Sequence, residues 1–232
     1  MANYLVVGGS SGIGSTLAAQ LADTGNTVYA TYNKHLSVPS HPSIHSHHLN
    51  VLDVNINLEF LPDTLNGIVY CPGSINLKPF ERIKAADFAE DFSLQVLGAV
   101  KLIQAVLPKL RKSGNASIIL FSTVAVQAGL PYHSEVSTSK GALEGLTKAL
   151  AAEFAPTIRV NCIAPSLTAT PLAHSLLNTD QKKEANALRH PLKRIGSTED
   201  IANMAEFLLS EKASWITGQI MHVDGGMSTI KL

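Results

Sequence analysis

The segment Gly8-Gly9-Ser10-Ser11-Gly12-Ile13-Gly14 limits what this chain can fold into more than any other feature. It follows the apolar run 3–8 directly and leads into STLAAQLADTG, whose apolar positions recur at helical spacing. A strand that turns through glycines into a helix is the dinucleotide-binding unit of doubly wound sheets. In that unit Gly8 permits the tight turn, Gly12 lets backbone approach a pyrophosphate, and Gly14 lets helix and strand pack closely. The helix N-terminus then holds the phosphate through its free amides and its dipole.

The rest of the chain repeats the same alternation. Short β-rich runs at 3–8, 27–32, 46–52, 67–71, 116–122, 158–163 and 219–223 are separated by helical patterns. That order predicts a Rossmann-type α/β fold, one parallel sheet with helices on both faces. Residues 87–112 and 135–154 read as the long helices, the first ending on Lys109, Arg111 and Lys112 as a helix C-terminus prefers. They are expected side by side on one face. Pro39 and Pro42 in NKHLSVPSHPSIHS prevent a full crossover helix between the second and third strands. With no repeat or low-complexity linker, 45% hydrophobic residues and 16% charged, residues 1–232 are expected to form a single domain around one core.

Composition also excludes partners. The formal net charge is zero and the pI is near 7.1, so no global field would attract nucleic acid or an anionic membrane. The two cysteines, Cys71 and Cys162, lie far apart in apolar runs, which excludes a disulfide framework and points to a reducing compartment. The start MANYLVVGGS lacks the pattern of a signal peptide, and no apolar stretch approaches about 20 uninterrupted residues, so no membrane-spanning helix is expected and the location is read as cytoplasmic. His41, His45, His47 and His48 have no cysteine or carboxylate beside them, so they read as a surface loop entering a strand, and no metal is expected.

The glycine spacing, GxxxGxG rather than GxGxxG, resembles that of the short-chain dehydrogenase/reductase family, and further matches follow from position 7 to 226. Asp53-Val54 resembles the pair that faces adenine, and Gly73 the last glycine of the family's Asn-Asn-Ala-Gly turn, which here reads Tyr70-Cys71-Pro72-Gly73. Asn161-Cys162-Ile163-Ala164-Pro165-Ser166 resembles Asn-x-Ile-x-Pro-Gly, with Leu167 following, and Thr170-Pro171 falls where a threonine meets nicotinamide and pyrophosphate. Arg194-Ile195-Gly196, Glu199-Asp200-Ile201-Ala202 and Val223-Asp224-Gly225-Gly226 complete the series. The resemblance implies seven strands in the order 3-2-1-4-5-6-7, NAD(H) or NADP(H) as cofactor, a carbonyl or alcohol substrate, and a homotetramer or dimer built on the two long helices and the C-terminal segment. It also implies a substrate lid over 166–195, where Leu167, Leu172, Leu176 and Leu177 could line an apolar pocket. NAD enzymes usually place an acid at the end of the second strand, but here that place is Tyr32, followed by Asn33 and Lys34, which favours NADP(H).

The family works with a hydroxyl on the fifth strand and a Tyr-x-x-x-Lys pair on the next helix. A phenol near pKa 10 needs a nearby cation to exchange a proton at neutral pH, which is the lysine's role beside holding the ribose. The segment FSTVAVQAGLPYHSEVSTSKGALEGL aligns without gaps and puts Thr123 at the hydroxyl, Lys140 at the lysine and Val136 at the tyrosine. Ser122 competes with Thr123, but the family's thirteen-residue offset from position 136 selects Thr123. The family's helix asparagine falls on Gln95. Valine exchanges no proton, which leaves three readings. Tyr132 or His133, in a loop ahead of an N-cap at Ser134, supplies the proton, with histidine the better matched at a pKa of about 6.5. Otherwise the chain is a weak or inactive NAD(P)-binding sensor, or the valine was engineered or the substrate brings its own relay. The remaining machinery favours an NAD(P)-dependent oxidoreductase.

Overall fold

The computed structural model describes residues 1–231. Seven strands form one sheet in the order β3-β2-β1-β4-β5-β6-β7, every neighbouring pair parallel. They are β1 (Asn3–Val7), β2 (Thr27–Tyr32), β3 (Ile44–His48), β4 (Gly67–Tyr70), β5 (Ala116–Phe121), β6 (Ile158–Pro165) and β7 (Ile220–Val223). The central strands β4 and β5 are buried at every position, because helices cover both faces. This is the Rossmann-type order that the resemblance implies.

On one face α1 (Gly12–Asp23) packs against α8 (Thr198–Leu209), with Leu17, Leu21, Ile201, Ala205 and Leu208 closing over Val6, Val28 and Ile119. On the other, α3 (Gly98–Ser113) and α5 (Ser134–Phe154) cover Leu5, Ile68, Ile118 and Val160 through Leu102, Val106, Leu110 and Leu143. Truncating any of these fully buried leucines costs about 2–5 kcal/mol. The links from β2 to β3 and from β3 to β4 carry no helix, as Pro39 and Pro42 require for the first.

Two expectations are corrected. Helix α2 (Ala85–Phe92), a π-helical turn at Ser93–Leu97 and α3 run on as one rod, Ala85–Ser113, long and apolar enough by length and composition to cross a membrane. It lies against the sheet instead, with Val96, Ala99, Leu102, Ile103, Val106 and Leu110 buried. The third strand occupies 44–48 rather than 46–52, because the Asn50 side chain closes a turn by accepting from the Leu52 amide and donating to Asp53 Oδ1. The histidines there spend their rings on aromatic neighbours, His47 stacking on Phe60 with centroids 3.8 Å apart and His45 on Tyr29 at 5.3 Å.

Candidate active site

All strands point the same way, so their C-terminal ends open onto one crevice, and the glycine segment lies at its floor where the chain reverses direction across β1 and β4. Gly8 has φ +78° and Gly12 φ +53°, conformations that favour glycine. A Cβ on Gly14 would lie 2.4 Å from the Gly8 carbonyl oxygen, so α1 approaches β1 only because that atom is missing. The Thr31 side chain accepts from Gly8 N at 3.2 Å and the Thr31 carbonyl from Gly9 N at 2.9 Å, which fixes the loop to β2. At the start of α1 no side chain caps the helix and no acid occupies its first turn, leaving the amides of Gly12, Ile13 and Gly14 free for an anion. The residues fit a pyrophosphate.

A cavity of about 810 Å³ extends from this loop. Gly8, Ser10, Ser11, Gly12, Ile13 and Gly14 line its middle, and Tyr32, Asn33 and Lys34 line the end beyond β2. Among the described residues no aspartate or glutamate lines it, whereas Lys34, Lys140 and Arg189 do. Asp53 and Val54, expected from the resemblance to face an adenine, are not among the residues that line it. Because β3 ends early, the Asp53 carboxylate meets Asn50, Val54 is 91% exposed, and Leu49 and Val51 line the cavity in their stead.

The other half of the cavity gathers Gly73, Thr123, Val136, Lys140, Pro165, Leu167 and Thr170. Thr123 caps the short helix α4 (Val124–Ala128), accepting from Ala125 N at 3.3 Å, so its O–H remains free to donate. Ser122 also reaches the cavity wall, but its hydroxyl donates to Glu144 Oε1 at 2.5 Å. Val136 presents a buried isopropyl group four residues before Lys140 on α5. The Lys140 ammonium has no hydrogen-bond partner among the described residues, and burial pulls its pKa down to about 8. A Cβ on Gly73 would stand 3.5 Å from Lys140 Nζ and 3.3 Å from Gln95 Oε1, so glycine there admits both. Gln95 itself, at the π-helical turn, donates to Asp91 Oδ1 and Oδ2 at 2.7 and 2.8 Å, and Ser74 donates to the same carboxylate. Cys71 and Cys162 flank Lys140 as neutral thiols, both pushed up to about 12 by burial.

The N-cap of α5 is His133 rather than Ser134, which is already helical. Tyr132 ahead of it adopts φ +68°, is 60% exposed and does not reach the main cavity, because the left-handed turn throws its ring onto the outer surface. His133 does reach it, at the rim, with Nδ1 2.7 Å from the Pro131 carbonyl oxygen. A carbonyl only accepts, so Nδ1 carries a proton, and in the neutral ring Nε2 bears the lone pair.

Residues 166–195 fold over the cavity through α6 (His174–Leu177) and α7 (Asp180–Leu188). Leu167, Leu172 and Leu176 line it, while Leu177 is buried away from it. Thr170 backs the pyrophosphate loop: its Cγ2 would be 3.3 Å from a Cβ on Gly12. Ser166 and His190 are among the lining residues that the sequence does not single out. Ser166 Oγ lies 2.8 Å from His190 Nε2, and the one local signal was a serine where Asn-x-Ile-x-Pro-Gly has glycine.

Comparison with known proteins agrees with this geometry. A family model described as enoyl-(acyl carrier protein) reductase matches residues 7–228. The chain is 33% identical to a 3-oxoacyl-[acyl-carrier-protein] reductase of Aquifex aeolicus over 96% of both chains. A solved short chain dehydrogenase/reductase family protein superposes with a TM-score of 0.90 at 29% identity, covering 99% of this chain and 98% of the other. ElxO with NADP bound superposes with a TM-score of 0.86 at 25% identity, over 99% of this chain and 100% of that one.

Proposed function

The chain belongs to the short-chain dehydrogenase/reductase family and is an NAD(P)-dependent oxidoreductase, and on that premise we propose that it interconverts a hydrophobic carbonyl compound and its alcohol, using NADP(H). The observation that carries this is the single cavity joining the free helix N-terminus of α1 to the uncommitted hydroxyl of Thr123 and the uncommitted ammonium of Lys140. When bound, the nicotinamide supplies or accepts the hydride. Thr123 donates its O–H to the substrate oxygen and orients it. Lys140 holds the ribose hydroxyls, and its cationic form stabilises negative charge on the reacting oxygen. Leu167, Leu172 and Leu176 cover the substrate and keep water out. The cation at Lys34 and the carboxylate-free lining favour a 2′-phosphate over a bare ribose.

Val136 takes the place of the family's acid/base tyrosine in this reading, so the proton must come from another lining group, and His133 at the rim is one that its position allows. The protein further works as a cytoplasmic homo-oligomer, dimer or tetramer, through the outer faces of α3 and α5 and the C-terminal segment. Leu97, 50% exposed at the start of α3, and Trp215, 98% exposed before β7, are the apolar surface that supports this.

The test is titration with NADPH and NADH, followed by the near-ultraviolet absorbance of the reduced nicotinamide with small ketones, quinones and 3-oxoacyl esters. Turnover with NADPH supports the reading. Tight binding without turnover, restored by Val136→Tyr, would make the chain a nucleotide-binding sensor instead.

A further inference from the structure

The cavity holds one hydroxyl wired to a buried imidazole, and it is not Thr123. Ser166 follows the C-terminal end of β6 and lines the cavity, with Oγ 2.8 Å from Nε2 of His190, which is 3% exposed. On its other side the ring is tied down, Nδ1 lying 2.8 Å from the Asn186 carbonyl oxygen. That oxygen only accepts, so Nδ1 bears a proton, and in the neutral ring Nε2 bears the lone pair to which the Ser166 O–H donates. Its other neighbour, Met227 Sδ at 3.1 Å, is a weak acceptor. The charged groups around the ring are committed elsewhere. Arg189 reaches Asn186 Oδ1 at 3.4 Å, and the Asp224 carboxylate accepts from the Gly226 and Ser228 amides at 2.8 and 2.9 Å.

The pair sits where the chemistry lacks a group. Ser122 N donates to the Ile163 carbonyl and Phe121 pairs with Ile163, so β5 and β6 end side by side, and Thr123 and Ser166 follow on these neighbouring strands. Ser166, Thr123 and Val136 line the same cavity, and of the three Val136 alone offers no hydroxyl.

We propose that Ser166 and His190 are the proton-exchanging pair of this site, replacing the phenol that Val136 lacks. The proposal rests on the hydride-transfer reading above. In the oxidising direction the carbinol C–H bond breaks and its hydride goes to the nicotinamide of NAD(P)+. The substrate O–H proton passes to Ser166 Oγ, the original Ser166 proton passes to His190 Nε2, and the C=O bond forms. The imidazolium keeps its Nδ1–H on the Asn186 carbonyl and returns the extra proton to solvent. Reduction runs the same transfers backwards, starting from NAD(P)H and protonated His190. Ser166 is thus a catalytic residue, and His190 acts through it.

The experiment compares Ser166→Ala, His190→Gln and His133→Gln with wild type in NADPH-dependent reduction of the carbonyl panel, with NADPH affinity followed by fluorescence. Ser166→Ala and His190→Gln are expected to lower kcat by about 10²–10⁴-fold while leaving NADPH affinity within about 3-fold. Val136→Tyr is expected to restore His190→Gln at least about 10-fold, which a purely structural lid contact would not allow. A readout independent of turnover is the side-chain nitrogen resonance of His190. It should show Nδ1 protonated and an Nε2 resonance that moves in Ser166→Ala as its hydrogen bond is lost. Wild-type kcat in both variants, or loss confined to His133→Gln, overturns the pair. A wild type that reduces no carbonyl overturns the hydride-transfer reading instead. In that case an unmoved His190 Nε2 resonance in Ser166→Ala overturns the pair, and a moved one retains the hydrogen-bonded pair.

Discussion

Ser122 Oγ donates to Glu144 Oε1 at 2.5 Å, and this bond between β5 and α5 separates two neighbouring hydroxyls into a structural one and a free one. Thr123, next in the chain, accepts from Ala125 N and keeps its own proton for the cavity. Thr123→Val is therefore expected to lower kcat by about 10²–10³-fold, the usual cost of one donor to a developing oxyanion. It should also cost roughly 1 kcal/mol of stability through the lost cap of α4. Thr123→Ser should keep most of the activity. Ser122→Ala should leave kcat near wild type while losing about 1 kcal/mol in urea unfolding, since Glu144 loses its partner. Equal kinetic losses at the two positions would show that the separation is wrong.

Gly14 against the Gly8 carbonyl is the closest approach in the phosphate loop. A Cβ there would be 2.4 Å from a backbone oxygen, which cannot swing aside as a side chain can. Gly14→Ala is expected to cost about 1–3 kcal/mol by overpacking and to weaken NADPH at least roughly 10-fold by moving α1 off the loop. Gly25→Ala is the control. Its Cβ would meet nothing within 4 Å, although φ is +84°, so it should cost about 1 kcal/mol and leave NADPH binding intact. Isothermal titration of both variants distinguishes a local cofactor effect from general destabilisation.

What could be read from the sequence followed from periodicity, and what could not followed from its absence. The strands and the paired long helices rest on buried runs such as IILF in β5 and on the 3.6-residue spacing of Leu102, Val106 and Leu110, whereas the strand order came with the family resemblance. Asp53 and Tyr132 lie off the cavity wall because both are in turns, where one side-chain bond from Asn50 or one left-handed residue redirects the chain without leaving a pattern. Ser166 and His190 are 24 residues apart, and their pairing depends on how α7 folds back over β6, so only a serine in a glycine's place could have drawn attention to them.

Lys34 is exposed at the cavity's far end, where no carboxylate opposes a 2′-phosphate. Lys34→Glu would replace an attraction with a repulsion in high dielectric, on the order of 1–3 kcal/mol, or roughly 10–100-fold in NADPH affinity. NADH, which lacks that phosphate, should bind about equally to both proteins. Because the group is exposed, the NADPH difference should shrink as ionic strength rises toward about 1 M, where screening acts over about 3 Å. A salt-independent difference would place Lys34 in a direct buried contact rather than in a field.

Lys140 gives the site its own pH signature. Burial lowers its pKa to about 8 in the folded protein, against about 10.4 for an unfolded lysine. Between those values the unfolded chain binds more protons than the folded one, so this group makes stability rise with pH through that window. Below about pH 8 the lysine is charged in both states, and the full cost of burying the charge is present. Lys140→Met removes the titration. It should be more stable than wild type at pH 7, by on the order of 1–3 kcal/mol, with the gap closing toward pH 10. Titrating groups that do not interact with Lys140 cancel in the difference, whereas Cys71 and Cys162, whose thiols feel its charge, do not cancel fully at the alkaline end. NADPH should reverse the ranking at pH 7, because its phosphates and ribose oxygens favour the charged lysine and stabilise only the protein that has one. Urea unfolding at pH 7, 8, 9 and 10, with and without NADPH, measures both effects. Parallel pH slopes for the two apo proteins would mean that Lys140 sits in water rather than in the wall of the cavity.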